Sequence, residues 1–300
     1  MSAPYPFLLV DAFTTTPLGG NPCAVVLDAD DLSPERMQQL AREFNQSETA
    51  FVRRASQGGD VSVRYFTPAE EIPLAGHPTI ATAVALVHAG RITLADTPRE
   101  LQFELRDGPI SVALTPATAT SPLLVTMTQR PPVFGAMHDA ATVLPLFGLT
   151  PDDLLPGAPI QTVSTGTPQL MMLLRDQHAL RRAHPPLPGA YGRYRADSDF
   201  FSPHLFCLGG ATAAGSTFAR HFGTPPDVAE DPVTGSATGG MAAYLHHYGY
   251  LTAPEFVAEQ GHWLGRPGAV RVRVESGAGA GQRVQIGGPG VVLVEGRLTL

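Results

Sequence analysis

The sequence predicts an α+β protein made of two similar domains that face each other across a cleft. A small-residue helical run occurs twice, at residues 74–90 and 230–249. Each run lies among short alternating strand patterns joined by hairpin turns. Strands mixed with hairpins and one long apolar helix per half are typical of α+β domains. Ligands collect in clefts between such domains, so we expect a binding site there.

The chain begins with two strands and a capped helix. The apolar pattern at 7–10 predicts the first strand, and residues 19–27 are predicted as a turn that runs into the second. Ser33 is a good N-cap and Pro34 suits the first helical position, so a helix starts here and ends near Asn45. The apolar residues of this stretch recur at helical spacing, which predicts one buried face.

A hairpin follows the first helix and places Glu48 at a strand end. The turn QGGD separates predicted strands at about 47–54 and 61–67. Glu48 therefore lies at the start of a strand, beside the end of a helix. It is equally explained as a solvated residue, or as part of a capping box with Asn45, and residue types alone leave these alternatives open.

The first central helix is predicted at residues 77–89 of an N-terminal half that spans 1–120. His77 takes the cap position, Pro78 the first helical position, and Gly90 the stop. An offset of 159 aligns this segment with the later run at six identical positions in fifteen, which indicates an internal duplication. The identical pairs are Gly76/Gly235, Thr79/Thr238, Ala83/Ala242, Leu86/Leu245, His88/His247 and Gly90/Gly249.

The C-terminal half is predicted to span 121–300, with its central helix at residues 236–248. Ser236 is the expected N-cap and Gly249 the left-handed stop. The Arg- and Pro-rich stretch 181–193 is expected to form an exposed loop. Strands from Val270 onward form a closing meander, and the last of them are free to pack on the first half.

Composition narrows the functional classes. The 300 residues carry a net charge of −7, and all 20 basic residues are arginine, without the clustered positive charge of a nucleic-acid surface. No apolar run reaches the roughly 18 residues of a membrane span, and the first residues lack a basic leader, so a cytoplasmic protein is expected. Cys23 and Cys207 are expected to be buried free thiols.

Four residues are candidates for chemistry at the helix starts. The first turn of a helix carries unpaired amide donors and partial positive charge, so two converging helix starts would hold a small carboxylate substrate. Glu48, His77, Asp231 and Ser236 lie beside these starts, and burial raises the pKa of a carboxyl group toward the range useful for proton transfer. Each also has a structural explanation, as a cap, a packing residue or a backbone-bonded residue before proline.

Two common site types are disfavoured by the sequence. No GxSxG motif is present, which argues against a serine hydrolase of that kind. The histidines do not fall into a metal-ligand pattern, so no metal is expected.

Four motifs together resemble the PhzF-like isomerases of phenazine biosynthesis, within the diaminopimelate epimerase-like fold. They are GNPCAVV, NQSETAFV, RYFTPAEEIPLAGHPTIATA and FARHFGTPPDVAEDPVTGSATGG. The resemblance implies two pseudo-twofold related domains, each a curved mixed or antiparallel sheet wrapped around its central helix. It also implies an interdomain active site, a homodimer, and cofactor-independent isomerisation of a small cyclic or aromatic-type acid by proton transfer.

The resemblance assigns roles to particular residues of this chain. The general acid/base falls on Glu48, and the residues that contact substrate fall on His77, Asp231 and Ser236. Gly76, Gly235 and Asn21 are the further positions expected to bind substrate.

Racemases and epimerases of the wider fold use two cysteines, one before each central-helix glycine. Here those positions are Ala75 and Thr234, which disfavours a two-thiol mechanism. Glu48 precedes Arg64 by sixteen residues, and the residue sixteen before Arg220 is His204, so the later half is expected to lack a matching carboxylate. One base suits a proton shift on a single face of the substrate.

Three hypotheses follow from the sequence. The first is the isomerase with Glu48 as its single base. The second is an epimerase or racemase of a small amino or hydroxy acid, and the third is a non-catalytic protein that binds a small acid. The substrate and its pathway are left open by the residues.

Overall fold

A computed structural model describes residues 4–186, 188–223, 227–277 and 281–300. Residues 224–226 of the fourth motif lie outside the described residues. The first elements are β1 (Tyr5–Ala12), β2 (Asn21–Val26), α1 (Pro34–Phe44), β3 (Glu48–Arg53), β4 (Val61–Phe66), β5 (Glu71–Ile72), α2 (His77–His88), β6 (Arg99–Leu105), β7 (Gly108–Thr115) and β8 (Leu124–Thr128).

The later elements include three short 3₁₀ turns, at Leu144–Phe147, Pro151–Asp153 and His262–Leu264. The strands and α-helices are β9 (Val133–His138), α3 (Ala140–Val143), β10 (Ile160–Ser164), β11 (Pro168–Leu173), α4 (Gln177–Arg182), α5 (Pro188–Ala196), β12 (Ser202–Leu208), β13 (Thr217–Phe222), β14 (Glu230–Asp231), α6 (Gly235–His247), β15 (Glu255–Gln260), β16 (Gly268–Gly277), β17 (Gly281–Gly288) and β18 (Gly290–Leu298).

The chain divides into two compact units. Unit 1 contains residues 1–128 and 287–300, and unit 2 contains residues 129–286. The last strand, β18, thus belongs to the unit that begins the chain and pairs with β1 over its whole length.

The sheet of unit 1 is mixed and curls around α2. Its strand order is β18-β1-β2-β3-β4-β6-β7-β8, with parallel pairs at β2–β3 and β4–β6 and antiparallel pairs elsewhere. Helix α2 contacts the first and last strands of this order, β18 and β8, as well as β1, β2 and β3. A helix can touch both ends of the order only if the sheet curves around it. Residues 77–86 of α2 are all buried, as in a helix that is apolar on every side.

Unit 2 repeats this arrangement around α6. Its order is β9-β10-β11-β12-β13-β15-β16, and the sequence of antiparallel and parallel pairs is the same as in unit 1 from β18 to β7. Helix α6 packs on β10, β11 and β16 and is buried along most of its length. The shared strand order supports the internal duplication predicted from the two helical runs.

A partly buried ion pair also occurs at the same place in both units. In unit 1, Arg64 donates two hydrogen bonds of 2.7 Å to the carboxylate of Glu71 and lies 5.2 Å above the Phe66 ring. A bidentate guanidinium–carboxylate pair fixes geometry as well as charge. The corresponding contacts in unit 2 are Arg220–Glu230 at 2.8 and 2.7 Å and Arg220 above Phe222 at 4.7 Å.

The first helix and its cap are confirmed. The Ser33 hydroxyl accepts a hydrogen bond from the Arg36 amide at 3.3 Å, and Asn45 takes the left-handed conformation that ends the helix. Met37, Leu40 and Ala41 form the buried face. The hairpin predicted around QGGD is confirmed as the antiparallel pair β3–β4.

The predicted caps of the two central helices are wrong by one or two residues. Gly76 is the N-cap of α2 and His77 its first helical residue, whereas Thr234 is the N-cap of α6 and Ser236 its second helical residue. The Thr234 hydroxyl instead donates to Asp231 at 2.6 Å, outside the helix. His77 and Ser236 are therefore held on the first turns and do not cap them.

The exposed loop predicted at 181–193 is also wrong. Asp176 caps α4 by accepting from the Ala179 amide at 2.8 Å, and α5 begins at Pro188. Tyr191 of α5 is buried against Phe147 and Phe200. One aromatic side chain thus anchors a segment whose composition is otherwise that of a loop.

In the described part of the chain, no helix is both long and apolar enough to cross a membrane.

We predict that alanine at either helix stop destabilises the fold by a similar amount. Gly90 and Gly249 have φ angles of 66° and 71°, a region in which a Cβ is strained. Gly90→Ala and Gly249→Ala should each lower the free energy of unfolding by about 1 kcal/mol. Urea denaturation measures this loss, with an unchanged m-value.

Gly189→Ala in α5 is the matched control. An added Cβ meets no described atom within 4 Å there either, and Gly189 is not among the residues of positive φ. Its free energy of unfolding should stay constant or rise by up to about 1 kcal/mol. Equal losses in all three variants would contradict the assignment of the stops.

Candidate active site

Glu48 is the first residue of β3 and lies opposite Cys23 of the parallel strand β2. Its side chain is 20% exposed, whereas residues 49–52 that follow are buried. The carboxylate is therefore held at the edge of the core, with part of its surface open to a ligand.

His77 brings three of the predicted residues together in unit 1. As the first residue of α2 it is only 3% exposed, and its Nδ1 lies 3.2 Å from Glu48 Oε2 and 3.0 Å from Asn21 Nδ2. Gly76, the predicted glycine, is the buried cap directly before it. Glu48, His77, Asn21 and Gly76 thus form one group.

Burial decides the charge state of His77. Removal from water lowers the pKa of His77 to about 3, so the ring is neutral at physiological pH. The contact with Glu48 is therefore a hydrogen bond and not an ion pair. Nδ1 donates when it carries the ring proton and accepts when it does not, so it can serve either the carboxylate or the Asn21 amide.

A second layer of polar residues lies behind this group. The Tyr65 hydroxyl is 2.8 Å from Thr79 Oγ1, and Thr79 Oγ1 donates to the Ala75 carbonyl at 2.7 Å. Burial, with the nearby charge of Glu48, raises the pKa of the Cys23 thiol well above its usual value, so this sulfur stays protonated. Sequence reasoning missed Tyr65 and Thr79, although both lie within the motif RYFTPAEEIPLAGHPT.

Asp231 lies in a hydrogen-bonded turn of unit 2. It is the last residue of β14 and 8% exposed, and its carboxylate accepts from the Thr234 hydroxyl at 2.6 Å. Gln260 joins the turn to β15, donating to the Asp231 carbonyl at 2.7 Å and accepting from the Thr234 amide at 3.1 Å. Thr234 and Gln260 were missed because their role depends on contacts distant in the sequence.

Ser236 is the partly exposed residue at the start of α6. Residues 231–235 before it and 237–245 after it are all buried. The Gly235 carbonyl accepts a hydrogen bond from Gln129 Nε2 at 3.2 Å, which holds this turn against the segment that follows β8. The Ser236 side chain is thus the accessible polar group of the helix start, and it stands where the duplication places His77.

The counterpart of Glu48 in unit 2 is Ser202, not His204 as predicted. Arg64 pairs with Phe51 across β3–β4, and Arg220 pairs with Leu205 across β12–β13. Three residues before each partner stand Glu48 and Ser202. The count of sixteen was wrong because the hairpin of unit 2 is two residues longer. The later half still has no carboxylate at this place.

Ser202 belongs to a buried polar cluster. Its hydroxyl donates to Gln169 Oε1 at 2.6 Å and lies 2.9 Å from His221 Nε2. His221 Nδ1 lies 3.3 Å from His204 Nδ1. Burial lowers the pKa of His221 to about 3 and that of His204 well below its usual value, so both rings are neutral.

Metal-ligating side chains do not gather in the described part of the chain, where no three His, Cys, Asp or Glu residues are placed to hold an ion together. The two cysteines are both buried and free.

Comparison with known proteins decides the family. The family model for phenazine biosynthesis-like proteins matches residues 10–296. The chain belongs to the phenazine biosynthesis-like family. The trans-2,3-dihydro-3-hydroxyanthranilate isomerase of Pseudomonas fluorescens is 35% identical over 296 residues, covering 98% of this chain and 99% of the relative.

Solved structures agree with this membership. A phenazine biosynthesis protein of the PhzF family from Bacillus anthracis superimposes with a TM-score of 0.87 at 28% identity, with complete coverage of both chains. A hydroxyproline epimerase from Agrobacterium vitis has a TM-score of 0.65 at 14% identity, covering 99% of this chain and 93% of that one, which shows a shared fold. The predicted α+β, diaminopimelate epimerase-like fold class is confirmed. The isomerase name of the Pseudomonas relative agrees with the predicted enzyme class.

We predict that His77 makes folding stability depend on pH. The pKa of His77 is about 3 in the folded protein against an ordinary value of 6.5, so the unfolded chain binds one more proton between these values. Stability should therefore fall as pH drops below 6.5. His77→Asn should reduce the slope of unfolding free energy between pH 4.5 and 6 by up to about 1.4 kcal/mol per pH unit, measured by urea denaturation.

His88→Asn is the control, since His88 lies at the other end of the same helix with 45% of its side chain exposed. It should leave the slope unchanged. A wild-type slope in His77→Asn would show that His77 is not held neutral by burial.

Proposed function

We propose that the protein is a cofactor-independent isomerase in which Glu48 alone moves a proton within a small cyclic carboxylic acid. The observation that carries the proposal is the partly exposed Glu48 carboxylate placed 3.2 Å from a neutral, buried His77. Family membership and the isomerase names of the relatives support the reaction class. The name of the Pseudomonas relative gives the substrate class to test first, a dihydro-hydroxyanthranilate.

The pairing of Glu48 with His77 suits a group that must both take and return a proton. An ionised Glu48 accepts a hydrogen bond from Nδ1–H of His77. After Glu48 has taken a proton, its O–H donates to the same nitrogen in the other tautomer, and Asn21 Nδ2 at 3.0 Å offers an alternative donor. The carboxyl group therefore has a hydrogen-bond partner in both protonation states, so neither state is strongly disfavoured.

The proposed step is a balanced proton shift. Glu48 removes a proton from one ring carbon, and the electron pair of that C–H bond moves into the conjugated system. The protonated Glu48 then forms a C–H bond at another carbon on the same face, which restores the carboxylate. No oxidant or reductant is consumed, because the product is an isomer of the substrate.

Asp231, Ser236 and the two helix starts are proposed to hold the substrate. The Ser236 side chain is the partly exposed polar group of the α6 start, and Asp231 is kept in place by Thr234. The backbone at Gly76 and Gly235 begins α2 and α6, where partial positive charge favours a carboxylate. The homodimer implied by the resemblance and the cytoplasmic location expected from the sequence both stay predictions.

An epimerase or racemase of a small amino or hydroxy acid is the second candidate. The shared fold with a hydroxyproline epimerase keeps it open. Inversion of a stereocentre requires a base on each face, and Ser202 stands where unit 2 would place the counterpart of Glu48. Ala75 and Thr234 occupy the positions of the two thiols, so we favour the single-base isomerase.

We predict that Glu48→Gln abolishes proton exchange. In deuterated water, the wild-type enzyme should incorporate solvent deuterium into a cyclic dihydro acid such as trans-2,3-dihydro-3-hydroxyanthranilate. NMR and mass spectrometry measure this incorporation. The glutamine keeps the size of the side chain but cannot carry the proton, so turnover should fall at least about 1,000-fold. Glu70→Gln changes an exposed glutamate of the same unit, so it is the control and should retain activity.

Two outcomes would contradict the proposal. Exchange that survives Glu48→Gln would show that another group is the base. Binding of the acid by calorimetry, without exchange or conversion in the wild type, would favour a non-catalytic acid-binding protein.

We predict that Ser236→Ala weakens binding more than chemistry. Loss of one hydrogen bond to bound substrate should raise KM about 10-fold and change kcat less than about threefold. Ser198→Ala is the control, because Ser198 is also half-buried in unit 2 and donates to the Tyr194 carbonyl at 2.7 Å. A fall in kcat as large as that of Glu48→Gln would instead place Ser236 in the proton transfer.

A further inference from the structure

We infer that Tyr65 is a positioning residue for the Glu48–His77 pair and that it acts through Thr79. The inference rests on the proposed function, since it assigns a role relative to the proposed base. Tyr65 lies on β4 with 1% of its surface exposed, so it does not reach a ligand itself.

The hydrogen bonds from Tyr65 run in one direction. The Thr79 hydroxyl has a single proton, and it donates this proton in a hydrogen bond of 2.7 Å to the Ala75 carbonyl. At its 2.8 Å contact with Tyr65 it must then accept, so the Tyr65 hydroxyl is the donor. Donation runs from Tyr65 to Thr79 and from Thr79 to Ala75.

The end of this chain is the turn that presents His77. Ala75 precedes Gly76, the N-cap of α2, and Gly76 makes no side-chain capping bond because it has no side chain. Pro78 contributes no amide hydrogen to this turn. Thr79 therefore spans the first turn from inside the helix, and Tyr65 ties it to the neighbouring strand β4. A shift of this turn would change the 3.2 Å separation of His77 Nδ1 and Glu48.

Tyr65 also lies within electrostatic range of the base. Burial raises the pKa of its hydroxyl far above the ordinary value, and the charge of Glu48 acts in the same direction. Tyr65 is therefore a neutral donor at every pH at which the enzyme would work. It holds the turn without competing with Glu48 as an acid.

The corresponding position of unit 2 separates this role from a requirement of the fold. His221 follows Arg220 as Tyr65 follows Arg64, and it bonds Ser202 at 2.9 Å. The threonine bond is present in both units, because Thr238 donates to the Thr234 carbonyl at 2.9 Å. The threonine-to-carbonyl bond is thus common to both units. The hydrogen bond from a tyrosine is found in unit 1, the unit that contains Glu48.

The test compares Tyr65→Phe and Thr79→Val with Thr79→Ser, which keeps the hydroxyl. The first two should lower kcat about 10-fold, with KM within about twofold, and the serine variant should retain wild-type rates. Because the residues act in series, the double variant Y65F/T79V should lose no more than either single variant.

Tyr244→Phe is the matched control for stability. Tyr244 is fully buried in α6 and donates to the Pro159 carbonyl at 2.6 Å, so it loses a comparable hydrogen bond far along its helix. Both tyrosine variants should unfold at lower urea concentration. Only Tyr65→Phe should lower kcat.

A readout without substrate separates this inference from the proposed function. In ¹⁵N NMR, the ring nitrogens of His77, assigned with His77→Asn, should shift in Tyr65→Phe and stay in place in Tyr244→Phe. If the wild type lacks activity, the proposed function fails while this measurement still decides the positioning role. Unchanged His77 signals in Tyr65→Phe, or losses of kcat that multiply in the double variant, would overturn the inference.

Discussion

The burial of a helix on all sides is the constraint from which the site follows. Residues 77–86 of α2 are all buried inside a curved sheet, and α6 is buried almost as completely in its own. Such a helix needs small and apolar side chains along its length and carries its unpaired amides at its start. Polar residues accessible to a ligand are therefore expected at the first turns and the adjoining strand ends, where the proposed site residues His77, Glu48 and Ser236 lie.

The same burial sets the chemistry of His77. A solvated histidine beside a carboxylate would take a positive charge and hold that carboxylate ionised. Buried, with a pKa of about 3, His77 stays neutral and offers Glu48 a donor or an acceptor through one nitrogen. A carboxyl group that must cycle between two protonation states is better served by this neutral partner, because neither state gains a large electrostatic preference.

The sequence predicted the features that depend on local chemistry. Helix stops at Gly90 and Gly249, the Ser33 cap and the repeat of the central helices all follow from residue type and spacing. The contacts around Asp231 were beyond such reasoning, because the Thr234 hydroxyl turns outward from α6 and Gln260 arrives from a later strand. Glu48 was predicted, but its counterpart in unit 2 was misplaced, since a longer hairpin is visible only once strand register is known.

The two units differ at the position of the proposed base. In unit 1 the third strand begins with Glu48, partly exposed. In unit 2 Ser202 stands there and gives its proton to Gln169, so it must accept from His221 Nε2. His221 Nδ1 then accepts a hydrogen bond from His204 Nδ1, so the lone pair of His221 Nδ1 is not available to a substrate. The two histidines of unit 2 are thus hydrogen-bonded to each other inside the core, which agrees with the proposal that Glu48 alone transfers the proton.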